Sequence, residues 1–108
     1  MKVRALQQEI DAWVRANGGY WTELSLLARL SEEVGEVARA YNQRFGGKPK
    51  KVGEADTELE DELADVIWIV LCMANQQGID LEQALTRVLA KVRSRGAPPS
   101  TAPETREG

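Results

Sequence analysis

Hydrophobic residues recur every three or four positions along most of the chain, which is the period of an amphipathic α-helix. The first predicted helix begins near Val3 and ends at Asn17-Gly18-Gly19. The second begins after Thr22, a favourable N-cap residue, and ends before Gly46-Gly47. The apolar stripes assigned to these helices are Val3, Leu6, Ile10, Trp13 and Val14, and then Leu27, Leu30, Val34, Val37, Ala38 and Tyr41.

A third helix is predicted from residues 57–60 (TELE), which have capping-box spacing, to Gln76, with Gly78 as the stop signal. Its second half, residues 66–74 (VIWIVLCMA), is apolar on every face. Such a segment needs to be covered on nearly all sides by other helices.

A fourth helix is predicted to begin at Asp80, with Gln83 at the capping-box position and cations in its last turn. Its apolar stripe comprises Leu81, Ala84, Leu85, Val88 and Val92. The glycine- and lysine-rich residues 46–56 are predicted to form a loop. The polar, proline-rich residues 97–108 are predicted to form a disordered C-terminal tail.

These elements predict an all-α, four-helix-bundle-like domain over residues 1–96. A core of this size buries limited apolar surface, and residues 66–74 need more cover than three short neighbouring helices provide. We therefore expect the chain to assemble through a helical interface into a dimer or a tetramer.

Composition excludes several kinds of site. The 108 residues include no histidine and one cysteine, Cys72, so the ligand sets of zinc, haem and iron–sulfur sites are lacking. A net charge of −3, from 14 basic and 17 acidic residues, disfavours a nucleic acid polymer or a membrane surface as the partner. The chain shows neither a secretory signal nor an apolar run long enough to span a bilayer, so a cytoplasmic location is predicted.

Acidic residues form two pairs at helical spacing. Glu33 and Glu36 on the second helix lie about 60° apart at 100° per residue, and Glu62 and Asp65 on the third helix have the same spacing. Each pair directs its oxygens into nearly the same volume beside apolar positions, and no lysine four residues away compensates the charge. A solvated acidic face is the alternative, but this arrangement favours an oxygen-ligated divalent cation, Mg²⁺ or Mn²⁺. A ferritin-like di-iron site is excluded because it requires histidine.

Basic and aromatic residues form a second constellation. Cations cluster in the segment after the second helix and at the end of the fourth, as a polyphosphate ligand requires; solubility and helix-end complementarity are the alternative. Trp13, Tyr20 and Trp21 are candidates to stack on a base, although aromatic residues at helix junctions more often pack in the core. We interpret Trp68, within the apolar run, as a packing residue.

The chain resembles the MazG-like branch of the all-α nucleoside triphosphate pyrophosphohydrolases over about residues 1–96. The resemblance rests on residues 30–40 (LSEEVGEVARA), 62–70 (ELADVIWIV), 75–85 (NQQGIDLEQAL) and 91–96 (KVRSRG). The metal motif of that family, E-x-x-E followed on the next helix by E-x-x-D, maps onto Glu33, Glu36, Glu62 and Asp65.

This resemblance implies Mg²⁺-dependent hydrolysis of a (deoxy)nucleoside triphosphate to the monophosphate and pyrophosphate, a reaction that fits house-cleaning of the nucleotide pool. Glu32 is predicted to be the catalytic carboxylate that orients or deprotonates the attacking water; a supporting or solvent-exposed position is the alternative. The predicted phosphate contacts are Lys48, Lys51, Lys91 and Arg95, and the predicted base contacts are Trp13 and Trp21.

Other functions remain open at this point. The dUTP-specific and phosphoribosyl-ATP branches share the carboxylate pattern, although the chain lacks the Tyr-His pairing expected in the phosphoribosyl-ATP branch. A non-catalytic helical module that binds a protein partner and a carboxylate protein that buffers metal ions are the alternatives from other classes.

Overall fold

The computed structural model describes residues 2–46 and 58–96. Over these residues the chain forms four α-helices and no strand, so the all-α prediction is confirmed. The helices are α1 (Val3–Ala16), α2 (Glu23–Phe45), α3 (Leu59–Gln76) and α4 (Leu81–Arg95). None of these helices has the length and apolar character needed to cross a membrane. The predicted tail, and the predicted loop beyond Gly46, lie outside the described residues.

Local capping explains where the helices begin and end. The Thr22 side chain accepts a hydrogen bond from the backbone N–H of Ser25, and Asp80 accepts one from Gln83, each at 3.3 Å, as their N-cap positions predict. Gly96 ends α4 with a φ of 76°, the left-handed conformation that favours glycine. In α3, Glu58 occupies the N-cap position without a side-chain capping bond, and Thr57 lies outside the described residues.

Helices α2 and α3 form an antiparallel pair, and this pair is the largest helix contact. Gln76, at the end of α3, donates a hydrogen bond to the carbonyl oxygen of Trp21, just before α2, at 2.6 Å. Helix α1 packs on α3, and α4 packs on α1. The buried core consists of Ile10, Val14, Leu26, Leu71 and Cys72.

The face of α2 that packs against the rest of the fold differs from the predicted stripe. Leu26 and Ala40 are buried, whereas Leu27, Val34 and Tyr41 are exposed. Ala38, another member of the predicted stripe, is exposed as well. The prediction was wrong for these four positions because α3 lies against the side of α2 that carries Glu33. The apolar run of α3 is likewise covered in part: Ile69, Leu71, Cys72 and Ala74 are buried, but Ile67 and Trp68 are exposed.

A buried amide joins α1 to the turn between α3 and α4. The Gln7 side chain donates hydrogen bonds from Nε2 to Asn75 Oδ1 and to the carbonyl oxygen of Ile79, both at 2.9 Å. Its Oε1 accepts a hydrogen bond from the backbone N–H of Leu81 at 2.9 Å, and Asn75 Nδ2 donates to the carbonyl oxygen of Gln7 at 3.0 Å. Every polar atom of the Gln7 side chain is therefore paired, which buried polar groups require.

A second polar contact fastens the start of α2 to α1. The Tyr20 hydroxyl donates a hydrogen bond to Asp11 Oδ1 at 2.6 Å, and burial, followed by this bond, raises the pKa of Tyr20 to about 12. The Tyr20 hydrogen bond, with that from Arg15, lowers the pKa of Asp11. Both shifts favour the protonated hydroxyl and the ionised carboxylate found at neutral pH.

Candidate active site

Three carboxylates meet where α2 crosses α3. One oxygen from each of Glu33, Glu62 and Asp65 lies within 4.8 Å of the other two. Glu33 projects from the packed side of α2, and its side chain is only 12% exposed. Glu62 and Asp65 are one helical turn apart on α3, so their side chains point to the same side of that helix. The antiparallel pairing of the two helices therefore assembles three of the four predicted metal ligands.

Electrostatic repulsion is built into this group. Burial raises the pKa of Glu62, and the negative charges of Asp65, Glu36, Glu33 and Asp61 raise it further. A carboxylate with several acidic neighbours is disfavoured in its ionised form unless a cation lies among them. Because all the donors are carboxylate oxygens, the group fits a hard divalent cation such as Mg²⁺ or Mn²⁺.

Glu36, the fourth predicted ligand, is not within this close group. Its Oε1 forms an ion pair with Arg39 Nε at 3.3 Å. It is nevertheless close enough to raise the pKa of Glu62 through its charge. Glu36 therefore lies at the edge of the acidic group and faces partly toward solvent.

Arg29 supplies the positive charge nearest to the acidic group among the described contacts. Its Nε donates to Glu33 Oε2 at 2.9 Å, and its Nη1 lies 3.4 Å from Glu32 Oε1. The same guanidinium lies 5.8 Å from the centre of the Trp21 ring. The sequence analysis considered only lysines four residues away from these acids. Arginines compensate the charge instead, with Arg29 one turn before Glu33 and Arg39 one turn after Glu36.

A cavity of about 310 Å³ opens beside the carboxylates. Its described lining is Trp21, Arg29, Glu33, Asp65, Trp68 and Ile69. A smaller cavity of about 110 Å³ shares three of these residues, Trp21, Trp68 and Ile69, and reaches the core at Leu26 and Cys72. Carboxylates, a guanidinium and two indole rings thus surround one space.

The three tryptophans contribute differently to this space. Trp21, a predicted base contact, lines it. Trp13 packs edge-to-face on Trp68, with ring centroids 6.1 Å apart, and does not itself line the cavity. Trp68 was interpreted as a packing residue, but it lines the cavity. The spacing contained a signal for this, since Trp68 follows Asp65 by one helical turn.

None of the predicted phosphate contacts is among the described residues that line this cavity, and two of them lie outside the described residues. Lys48 and Lys51 are in the segment that the structure does not describe. Lys91 and Arg95 are exposed near the end of α4, which packs on α1, and neither is among the described residues that line the cavity. Arg29, which was not predicted as a contact, is the cation in that lining.

Glu32, the predicted catalytic carboxylate, lies on the outer side of α2. It is exposed, it pairs with Arg29, and it lines a neighbouring groove together with Trp21 and Ser25. The structure does not place it among the three close carboxylates. Arg29 is the group that connects Glu32 to Glu33.

Comparison with known protein families identifies the family of this chain. Residues 21–97 match the sequence model of the MazG nucleotide pyrophosphohydrolase domain. The chain belongs to the MazG family. Its α2 and α3, which carry the close carboxylates, lie within the matched residues, and the resemblance deduced from the two acidic motifs is confirmed. The MazG domain is an enzyme domain, a nucleotide pyrophosphohydrolase.

Individual relatives agree with this assignment. The chain is 42% identical over 94 residues to the uncharacterised protein YpjD of Bacillus subtilis, covering 86% of this chain and 85% of YpjD. The crystal structure of YpjD aligns with a TM-score of 0.73 at 41% identity, over 84% of this chain and 94% of that one. The Bacillus-conserved MazG protein, described as a nucleotide pyrophosphohydrolase, aligns with a TM-score of 0.71 at 37% identity, over 84% of this chain and 88% of the other.

Proposed function

We propose that the protein hydrolyses (deoxy)nucleoside triphosphates to monophosphates and pyrophosphate in a Mg²⁺-dependent reaction, and that it cleans the nucleotide pool. The observation that carries the proposal is the group of three carboxylate oxygens within 4.8 Å, next to a cavity lined by two tryptophans and an arginine. Carboxylates that hold a cation beside an aromatic surface suit a ligand with a polyphosphate at one end and a base at the other.

In this proposal Glu33, Glu62 and Asp65 hold the cation, and Glu36 joins them by turning away from Arg39. A bound divalent cation supplies charge neutralisation for the phosphates and activation of the attacking water. By holding that cation, the carboxylates would set the position of the triphosphate relative to the indole rings. Mn²⁺ is the alternative ion, since it prefers the same oxygen ligands.

The remaining residues act on the substrate. Arg29 holds Glu33 in position and presents its other guanidinium nitrogens to phosphate oxygens, for which a planar guanidinium is well suited. Trp21 stacks on the base, and Trp13 supports that surface through Trp68. Glu32 is proposed to orient the attacking water from its position beside Arg29. Lys48, Lys51, Lys91 and Arg95 stay predictions for further phosphate contacts.

The direct test is pyrophosphate release from a panel of canonical and modified nucleoside triphosphates, with and without Mg²⁺. We expect release only with Mg²⁺ and a marked loss in the Asp65→Asn variant. Asp61→Asn is the matched control, because Asp61 is an exposed neighbour on the same helix and is outside the close group. Equal activity of Asp65→Asn and the wild type would refute the proposed site.

Thermal denaturation gives a second readout that requires no turnover. A non-hydrolysable triphosphate with Mg²⁺, at about 100 times its Kd, should stabilise the fold by about 2.7 kcal/mol through mass action. Asp65→Asn should lose most of this increase in Tm, and Asp61→Asn should keep it. If nucleotide with Mg²⁺ leaves the Tm of the wild type unchanged, the helical module that binds a protein partner becomes the better interpretation.

Removing the proposed base contact should weaken substrate binding. Stacking of a base on an aromatic side chain contributes about 1–3 kcal/mol, so Trp21→Ala is expected to raise KM by about 5- to 150-fold. Trp13→Ala should have a smaller effect, because Trp13 reaches the cavity only through Trp68. Steady-state kinetics with a purine and a pyrimidine triphosphate measures both. A larger KM increase for Trp13→Ala than for Trp21→Ala would contradict the assignment.

A further inference from the structure

Trp21 lies between two helices, in the connection formed by residues 17–22. Its side chain is 55% exposed and lines the cavity beside the carboxylates. A functional side chain on a connection is held less precisely than one on a helix, unless other contacts fix the backbone that carries it. The position of the indole ring relative to the carboxylates therefore depends on how residues 17–22 are anchored.

The first anchor of this connection is α1. The backbone N–H of Gly19 donates a hydrogen bond to the carbonyl oxygen of Val14 at 2.8 Å. The Tyr20 hydroxyl donates to Asp11 Oδ1, and Arg15 Nε donates to the same carboxylate. These contacts hold the backbone against α1 as far as Tyr20, the residue before the indole.

The second anchor is α3, through the last residue of that helix. Gln76 Nε2 donates a hydrogen bond to the carbonyl oxygen of Trp21 at 2.6 Å. Gln76 is partly buried, and it lies about three helical turns beyond Asp65 on the same helix. The bond therefore ties the backbone of Trp21 to the helix that carries Glu62 and Asp65, two of the three close carboxylates.

We propose that Gln76 is a positioning residue for the base of the substrate. Its hydrogen bond holds the Trp21 indole at the distance from the carboxylates that a nucleoside triphosphate spans between its base and its phosphates. This inference rests on the proposed function, because it takes Trp21 as the surface on which the base stacks. Gln76 is not among the described residues that line the cavity, so it acts through Trp21 and does not touch the substrate.

A positioning role and a purely structural role for Gln76 predict different losses. Misplacing a binding group by about 1 Å weakens the interactions of that group alone. Loss of the Gln76 bond should thus affect ligands that have a base and spare ligands that have only phosphates. A purely structural role, in which the end of α3 or the α2–α3 pairing depends on Gln76, predicts equal losses for both kinds of ligand.

Isothermal titration with two probes separates these roles. The probes are a non-hydrolysable nucleoside triphosphate and inorganic tripolyphosphate, each with Mg²⁺. Gln76→Leu removes the donor at similar size, and we expect it to raise the Kd of the nucleotide by about 5- to 30-fold, a part of the loss expected when stacking is removed entirely. The Kd of tripolyphosphate should stay within about 2-fold of the wild type, since this probe has no base to stack.

Two further variants keep the result interpretable. Gln83→Leu is the matched control, because Gln83 is an exposed glutamine on α4 and is not among the described residues that line the cavity. It should leave both Kd values unchanged. Gln76→Glu keeps the length of the side chain and has no donor when ionised, so it should repeat the selective loss if the leucine variant folds poorly. Unchanged nucleotide binding, or equal losses for the two probes, overturns the positioning role.

A double-mutant cycle tests whether Gln76 acts through Trp21. In a Trp21→Ala background, Gln76→Leu should raise the Kd of the nucleotide by less than about 2-fold, because the ring that it positions is already absent. Independent effects would instead multiply, as they do for residues that share no partner. Multiplied effects overturn the proposal.

The same measurements separate this inference from the proposed function. A wild type that binds neither probe with Mg²⁺ and releases no pyrophosphate refutes the proposed function, and the role of Gln76 with it. A wild type that binds and hydrolyses nucleotides, while Gln76→Leu binds both probes equally well, refutes only the role of Gln76.

Discussion

Replacing Glu62 by glutamine is expected to lower kcat/KM for triphosphate hydrolysis by about 10²- to 10³-fold, the range found when one preorganised electrostatic contact to the reacting groups is removed. The amide keeps the size of the side chain but removes the charge that the cation requires. Steady-state pyrophosphate release, measured at several Mg²⁺ concentrations, checks the loss. Excess Mg²⁺ should recover only part of the activity.

The same substitution should leave the metal-free fold as stable as the wild type or more stable. Burial and four acidic neighbours raise the pKa of Glu62 in the folded chain, so the unfolded state loses this proton at a lower pH than the folded state does. The protonated Glu62 therefore contributes fully to the free energy of unfolding at pH values below the ordinary glutamate pKa. This contribution is lost as the pH rises through the raised pKa of the folded state. Glu62→Gln should remove this dependence of the free energy of unfolding on pH.

Glu60→Gln is the control for both measurements, because Glu60 is an exposed carboxylate in the first turn of α3 and is outside the close group. It should keep wild-type activity and the wild-type dependence of stability on pH. Thermal denaturation in a chelator between acidic and neutral pH provides the comparison. A Glu62→Gln variant that is strongly destabilised without metal would show that the carboxylate is structural, which contradicts a cation site held under repulsion.

Replacing Gln7 by leucine should produce a large loss of stability. It removes the partners of three polar groups, Asn75 Oδ1, the Ile79 carbonyl and the Leu81 N–H. A buried polar group without its hydrogen bond costs about 1–3 kcal/mol, and two or more such groups should lower the free energy of unfolding by about 2–4 kcal/mol. Urea denaturation followed by circular dichroism measures this difference.

Gln8→Leu is the matched control for Gln7→Leu, since the neighbouring residue on α1 is exposed. Its free energy of unfolding should stay within about 0.5 kcal/mol of the wild type, as for most surface substitutions. Similar stabilities for the Gln7 and Gln8 variants would show that the amide network contributes little. Pyrophosphate release from the Gln7 variant below its Tm should persist, because Gln7 contacts Asn75 near the other end of α3 from Glu62 and Asp65 and lines a different groove.

Several features of the fold were predictable because they depend on neighbours in the sequence. Hydrophobic period and capping residues located α1, α2 and α4 with small errors, since Thr22, Asp80 and Gly96 act within one helical turn. The two acidic pairs were predictable for the same reason, because residues three apart on a helix share a side. Their pattern, together with the absence of histidine, also favours a cation with oxygen ligands.

Other features depended on how the helices pack. The sequence does not state which side of α2 meets α3, so Leu27, Val34 and Tyr41 were expected inside and are exposed. Trp68 was missed because a cavity wall requires two helices at a defined distance. Arg29 precedes Glu33 by four residues on the same helix, so its ion pair could have been predicted from the spacing. Lys91 and Arg95 stay predictions as phosphate contacts, because the sequence does not determine that α4, which carries them, packs on α1.

By itself, the sequence determined four helices, two acidic motifs and their family. Only the tertiary structure decided that Glu33, Glu62 and Asp65 meet within 4.8 Å, that Glu36 lies at their edge, and that an apolar face of α2 is left exposed. The physical reason is one of range. Capping and helical periodicity act over three or four residues, whereas the rotation of one helix against another is set by side-chain packing between positions about 30 residues apart.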